Sequence, residues 1–367
     1  MKTNQANARS LRIVPELRAV HIERYFETTP AKMIYFKRNY DLEGTTVPPG
    51  IEQKNLRDLA SLFWNSTAQI LEIPEPLWVR FLPTSAVIAF LFKTTGALRS
   101  RPRLIATYAM ENNDLAKLIG GRRHVPRGVS KAFSLCVGAY MRIFVDRIAF
   151  ASRGSSDLYT SLPFVRFIDH VTIEELPSPR AEQRDEETRP AAVFVGALEE
   201  RKGIIPLTDA WEHVEATVPG AVLTIVGPGL LAPRVEQWAH ARPSSRRYTG
   251  QLAWSEVLEF LPTNRVLVAP SIPEGRWREQ IGLPIKEGLS FGLTVVTTQQ
   301  TGLANWLEDR GHTVIPIDND PQQFNHLLAD ALINALDVPL PRVEVRASLP
   351  AREGRYEADA WMHRSAQ

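Results

Sequence analysis

The chain has one cysteine, Cys136, so no disulfide can close within it. That suits a reducing compartment, and a cytoplasmic location is the expectation. Long apolar runs are also missing. The longest, Ala86–Phe92, has seven residues, where a bilayer-spanning helix needs about 20. The opening Met1-Lys2-Thr3-Asn4-Gln5 is polar, and no secretion-type apolar stretch follows it. Zinc-finger spacings and basic motifs interleaved with aromatics are absent, which argues against nucleic acid as a partner. Disorder is excluded as well. With 44% hydrophobic and 23% charged residues the composition is that of a globular protein. A length of 367 residues suggests two domains.

Net charge is only +2, but it is divided unevenly. Residues 1–180 hold 25 Lys/Arg against 16 Asp/Glu, and residues 181–367 hold 18 against 25. The basic surplus is densest between Arg80 and Arg147. It fits either a well-solvated surface or a half that meets an anion. Ala86–Phe92 lies close to the basic segment Arg99–Lys131. This fits an ordinary buried helix followed by a basic loop, or peripheral contact with an anionic membrane surface.

Short apolar strands alternate with amphipathic helices along most of the chain. Residues 1–30 break the pattern and read as an extension. Met33–Phe36, Gln69–Ile73, Leu104–Tyr108 and Arg147–Ala151 read as strands, and Asp41–Gly50 as a loop. Leu56, Leu59, Ala60 and Phe63 mark one helix face. Phe133, Cys136, Val137, Tyr140, Met141 and Phe144 mark another. Pro177–Pro190, with three prolines and the acidic run Asp185-Glu186-Glu187, reads as a linker. The alternation then restarts, with strands at Ala192–Val195, Ala221–Val226, Arg265–Ala269, Thr294–Thr297 and Val314-Ile315. This is an α/β pattern of two Rossmann-like, doubly wound parallel-sheet domains. The expected divisions are 1–180, 181–345 and a C-terminal segment 346–367, in which Tyr356 and Trp361 sit on a plausible helix.

In open parallel sheets ligands bind at the carboxyl ends of the strands. The loops after Val195, Val226, Ala269 and Thr297 therefore share one rim. Pro284 is placed to open a helix with Glu287 in its first turn, and the N–H groups there form an anion site. Glu279 flanks that site from the preceding loop. Phosphate in the middle with hydroxyl-rich groups at both ends describes a nucleotide sugar. Glu287 merely complementing a helix dipole is the plain alternative. Gly196 ends a strand, and Lys202-Gly203 starts the next helix. Lys202 suits charge building on a departing diphosphate, although a surface helix start would look the same.

These residues together resemble the retaining glycosyltransferases of the GT-B fold, the large family 4. The likeness runs through Gly196, Lys202-Gly203, Gly227-Pro228-Gly229, Tyr248-Thr249-Gly250, Pro270-Ser271, Glu279, Gly282-Leu283-Pro284, Glu287, Gly292 and Val295-Val296, over roughly residues 190–335. In the first half, Pro48-Pro49-Gly50 is similar to the glycine loop that opens the family's acceptor domain. The C-terminal segment would then cross back to the first domain, as is usual in this fold, and the two domains would face a central cleft.

The resemblance implies sugar transfer from a UDP- or GDP-sugar to a glycan or lipid-linked acceptor, by front-face displacement and without a metal or other cofactor. Glu287 would hold the ribose, and Glu279 the sugar hydroxyls. Lys202 and the N–H groups of Gly282 and Leu283 would take the diphosphate. Gln251 and Leu252 would border the base, and Gly196 and Gly227 would line the donor loops. The family's Arg after the strand-end glycine is here Ala197, so Arg201, Arg276 or Arg278 would replace it. Glu111 and Asn112 are acceptor-side candidates, or simply a polar loop end. A non-catalytic GT-B scaffold that binds nucleotide sugars, and a sugar-nucleotide epimerase, remain alternatives.

Overall fold

The computed structural model describes residues 9–39, 42, 46–180 and 189–365. Residues 1–8 of the expected extension, part of the Asp41–Gly50 loop and the run Asp185–Glu187 lie outside them. The chain divides into two compact units, one of residues 1–174 and 354–367, the other of 175–353. These divisions differ from the expected 180/181 and 345/346.

Unit 1 runs β1 (Ser10–Leu17), α1 (Ala19–Tyr25), β2 (Lys32–Arg38), β3 (Ile51–Gln53), α2 (Leu56–Asn65), β4 (Ile70–Ile73), α3 (Leu82–Leu98), β5 (Leu104–Ala109), α4 (Leu115–Gly120), α5 (Arg127–Phe144), β6 (Arg147–Phe150), α6 (Arg153–Thr160) and β7 (Asp169–Thr172). Unit 2 runs β8 (Ala191–Val195), α7 (Ile204–Thr217), β9 (Val222–Val226), α8 (Ala232–Ala241), β10 (Arg246–Tyr248), α9 (Trp254–Phe260), β11 (Val266–Ala269), α10 (Leu283–Ser290), β12 (Thr294–Thr298), α11 (Ala304–Asp309), β13 (Thr313–Ile315), α12 (Pro321–Asp337) and α13 (Arg342–Ala347). The last helix, α14 (Gly354–Met362), belongs to unit 1.

Both sheets are parallel, with orders β3-β2-β1-β4-β5-β6-β7 and β10-β9-β8-β11-β12-β13. Each order reverses direction once, between β1 and β4 in unit 1 and between β8 and β11 in unit 2. β1 corrects the reading of residues 1–30 as an extension, because it is a central strand. Its sequence, SLRIVPEL, hides it. Pro15 is expected only where one side of a strand lacks a partner, and β4 pairs with β1 only through Ser10–Arg12. Pro15 lies past that pairing, at the switch point.

Period-2 alternation explains the core of unit 1. Leu71 and Ile73 of β4 pack with Phe63 of α2, Ile88 and Phe92 of α3 and Met141 of α5. Ile70, on the opposite face, packs with Ala358 and Met362 of α14. Glu72 shares that second face, as does Arg12 of β1. Arg12 Nε donates to Glu72 at 2.6 Å, and its Nη2 pairs with Asp359. Arg355 donates to Glu72 at 2.7 Å, and His363 lies 3.2 Å from it. Burial alone would raise the Glu72 pKa, but Arg12 and Arg355 hold it well below the usual carboxylate range. Glu72, Asp359 and His363 would form a metal-ligand trio by distance. Two guanidiniums already occupy their oxygens, so the cluster is an ion-pair network that fastens α14 to the sheet.

In α5 the buried side is Val137, Gly138 and Met141, while Cys136 is exposed. This corrects its placement on the apolar face. Gly138 is needed because a Cβ there would fall 2.1 Å from the Pro163 carbonyl oxygen.

Arg12→Met leaves two buried carboxylates short of a cation, and breaking such a network typically costs about 3–5 kcal/mol. Urea denaturation at neutral pH should show a loss of that order, and no measurable loss would contradict the network's role. Because the folded Glu72 pKa is depressed, its contribution is present above the unfolded value of 4.5 and is lost as pH falls through the folded value.

Candidate functional site

The loops at the carboxyl edge of unit 2 are locked together by backbone contacts. Gly196 N–H donates to Val226 O at 3.0 Å, Leu198 N–H to Pro228 O at 2.8 Å and Gly227 N–H to Gly250 O at 2.8 Å. Ile272 N–H donates to Arg201 O at 2.9 Å, which ties the loop after β8 to the loop after β11. Two glycines permit this packing. Gly203 has φ +72°, and a Cβ there would fall 1.9 Å from Pro270 O. Gly227 has φ +137°, and its Cβ would fall 2.0 Å from Gly196 O.

At the switch point between β8 and β11, Lys202 Nζ pairs with Glu279 Oε2. The Ser271 hydroxyl donates to the same oxygen at 3.3 Å. Lys202 and Arg201 lie over the Trp277 ring, 4.9 and 4.4 Å from its centroid. Arg201 also pairs with Glu199 at 2.6 Å. Trp277 is positioned by a tight turn, its N–H donating to Glu274 O at 2.8 Å. Arg276 is exposed within that turn. Arg278 donates to Gln299 O at 2.8 Å and to Gln300 O at 3.3 Å.

Helix α10 starts beside this pair. Gly282 is its N-cap, and a Cβ there would lie 3.6 Å from Glu279 Cγ. Leu283 is the first helical residue and Pro284 the second, which shifts the expected start by one. Glu287 is the fifth residue, so it stands one turn in rather than in the first turn. The first N–H groups of a helix have no intrahelical acceptor, and the helix dipole adds partial positive charge there. Trp254 of α9 donates its indole N–H to Glu287 Oε1 at 2.7 Å. Burial raises the Glu287 pKa, opposed by the Trp254 hydrogen bond and by Arg180 and Lys286. Arg180 in turn covers Trp254 and Phe291, 5.7 and 5.2 Å from their centroids. Gln251 is exposed and Leu252 half-buried in the turn after β10.

The structure thus brings together Lys202, Glu279, Ser271, Trp277 and Arg201, with Gly282 and Leu283 adjoining. Arg201 and Arg278 are engaged by neighbouring groups. Lys286, on the buried side of α10, bonds Glu175 at 3.1 Å and Glu353 at 2.7 Å, the first and last residues of the unit.

Unit 1 has its own polar edge. Gly50, with φ +98°, precedes β3, and its carbonyl accepts from Met33 N–H at 2.9 Å. After β5, Glu111 accepts from Asn112 and Asn113 N–H at 3.1 and 2.9 Å. Asn112 is buried. Glu75, beyond the end of β4, accepts on one oxygen from Met110 N–H (2.8 Å), Glu111 N–H (2.9 Å) and the Tyr159 hydroxyl (3.1 Å). Burial pushes Glu75 up to about 7, helped by the Glu111 charge and opposed by those hydrogen bonds.

Residues 189–336 match the family model described as glycosyl transferases group 1. The fold is GT-B. The structure is similar to HepE from Anabaena in complex with UDP and glucose, with TM-score 0.58 and 11% identity over 96% of this chain and 94% of that one. It is also similar to WaaG, a glycosyltransferase involved in lipopolysaccharide biosynthesis (TM-score 0.56, 12% identity, 96% and 99% covered). A third is the lipopolysaccharide outer core galactosyltransferase WaaB in its apo form (TM-score 0.60, 10% identity, 96% and 98% covered). The chain has no significant match among curated protein sequences.

Two residues at the edges of this GT-B chain escape sequence reasoning. Trp254 is one, although an aromatic just after the Gly250 turn is a usable signal. Glu75 is the other, a carboxylate held between Pro74 and Pro76 where a strand ends.

Glu75 also sets a pH dependence. Its folded pKa lies above the unfolded value, so the stability it allows is complete below about pH 4.5 and is lost as pH rises toward 7. Glu75→Gln should remove that part of the slope, gaining on the wild type at pH 8 relative to pH 4 in urea titrations. Parallel profiles for the two proteins would contradict the assignment.

Proposed function

We propose that the protein is a retaining glycosyltransferase that moves a sugar from a UDP- or GDP-sugar to a hydroxyl of a glycan or lipid-linked acceptor. The observation that carries this reading is the Lys202–Glu279 pair beside the N-terminus of α10. The match of residues 189–336 supports it. So does the likeness of fold to a protein described with UDP and glucose bound, and to two described with lipopolysaccharide synthesis.

In this reading the diphosphate settles on the N–H groups of Gly282 and Leu283 and draws Lys202 from Glu279. Glu279, still close to Ser271, is released to accept hydrogen bonds from the sugar. Glu287, oriented by Trp254, accepts from the ribose hydroxyls. Gln251 and Leu252 border the base. The bond between the anomeric carbon and the phosphate oxygen breaks first, and Lys202 stabilises the charge left on the diphosphate. The acceptor oxygen attacks from the same face and hands its proton to that phosphate oxygen, so configuration is retained and no separate base is needed. Lys202 and the helix N–H groups supply the positive charge, so the reading assigns no role to a metal. Glu111 and Asn112 are the acceptor-side residues.

Lys202→Ala should lower kcat about 10²–10³-fold, the loss of one charge-stabilising donor. Nucleotide release from a sugar-nucleotide panel measures it. Glu287→Ala should abolish the thermal shift caused by the productive donor. Donor-induced stabilisation that survives both substitutions would overturn the site. Ala197 and the Arg201–Glu199 pair favour a second reading, a donor-binding protein without turnover. Binding with no nucleotide release, with or without acceptors, would select it.

A further inference from the structure

We infer that Trp277 is a positioning residue for Lys202, its ring the floor along which the ammonium passes from Glu279 to a bound diphosphate. The inference rests on the transfer reading above and gives a role to a residue that reading leaves without one. Trp277 is half-buried and ends a tight turn, its N–H donating to Glu274 O at 2.8 Å. Lys202 Nζ and the Arg201 guanidinium carbon lie over the ring, 4.9 and 4.4 Å from its centroid. An aromatic face attracts cations through its quadrupole, and Trp does so best. Glu279, two positions further on, is the counter-ion of the same ammonium. One short segment therefore gives Lys202 both an ion-pair partner and an aromatic floor.

That segment is itself held in place. Arg278 donates to Gln299 O at 2.8 Å and to Gln300 O at 3.3 Å. Gly302 N–H donates to Gln280 O at 2.8 Å, and the Thr301 hydroxyl to Ile281 O at 2.7 Å. Residues 278, 280 and 281 are thus strapped to the loop after β12, while 277 and 279 meet Lys202. Arg201, tied to Glu199 through Nε and Nη2 at 2.6 Å each, braces the ring. The two contacts of Lys202 differ in kind. An ion pair fixes the ammonium at one oxygen, and a competing phosphate ends it. A ring has no single acceptor atom, so its attraction survives a shift of the ammonium across it. A lysine stem is flexible. A fixed ring beside it leaves less freedom to be lost when charge builds on the leaving diphosphate.

The test is a double-substitution cycle on the full chain, read as nucleotide release from whichever sugar nucleotide of the panel is turned over. Trp277→Leu should lower kcat about tenfold. The donor KM should change less than about twofold, because the contact matters most as charge develops. Trp277→Phe should recover most of the loss. In a Lys202→Ala background Trp277→Leu should have no further effect, since the group it positions is gone. A residue that only held its loop together would cost the same in both backgrounds. Melting temperatures check folding, and Trp277→Met, equally apolar and without a ring, serves the cycle where leucine lowers them. Wild-type kcat in Trp277→Leu, a loss that phenylalanine does not relieve, or equal losses with and without Lys202 would each overturn the inference and leave the donor site standing. Wild-type turnover in Lys202→Ala alone, or no turnover in the parent protein, would end the transfer reading and the inference with it.

Discussion

Lys202 and Glu279 come from loops 77 positions apart in the chain, and their pairing is possible only because β8 and β11 are neighbours at the switch point. Everything around them serves that approach. Gly203 lets the start of α7 press against Pro270, and the Ile272–Arg201 backbone bond holds the two loops in step. Trp277 lies against both cations. The pair then sits beside the N-terminus of α10, so a side-chain cation and helix N–H groups share one small region. A ligand with a strongly anionic centre and hydroxyl groups on both sides matches that arrangement.

The two units use the same sheet architecture for opposite electrostatic ends. The carboxyl edge of unit 2 gathers cations and helix N–H groups. That of unit 1 gathers carboxyls, Glu75 and Glu111, one of them pushed toward neutral pKa by burial and by its neighbour's charge. Such an edge suits hydroxyl-bearing neutral ligands better than phosphates. Basic charge in unit 1 lies instead along α5 and in the segments between α3 and α5. The chain's uneven charge balance therefore does not divide simply into a basic and an acidic binding site.

Much of unit 2 was legible because its strands are continuous apolar runs ending at glycine or proline, where position in sequence fixes position on the rim. Gly196 and Gly227 follow directly from that, whereas the pairing of Lys202 with Glu279 does not. Details that depend on helix phase did not follow. Glu287 stands one position deeper in α10 than a start at Pro284 implies, and its partner Trp254 lies on a different helix. Unit 1 was harder for a physical reason. β1 and β4 carry Arg12 and Glu72 on a buried face, and their charge is tolerated only because α14 completes the network, with Asp359 347 positions after Arg12 and Arg355 283 after Glu72. No local pattern reveals such a partner, so residues 1–30, with β1 among them, read as an extension.

The most direct measurement is a crystal structure of the protein grown with UDP or GDP. The account predicts the diphosphate on the N–H groups of Gly282 and Leu283, Lys202 turned from Glu279 to the phosphate, and the ribose hydroxyls on Glu287. A nucleotide bound elsewhere, with the Lys202–Glu279 pair intact, would contradict it.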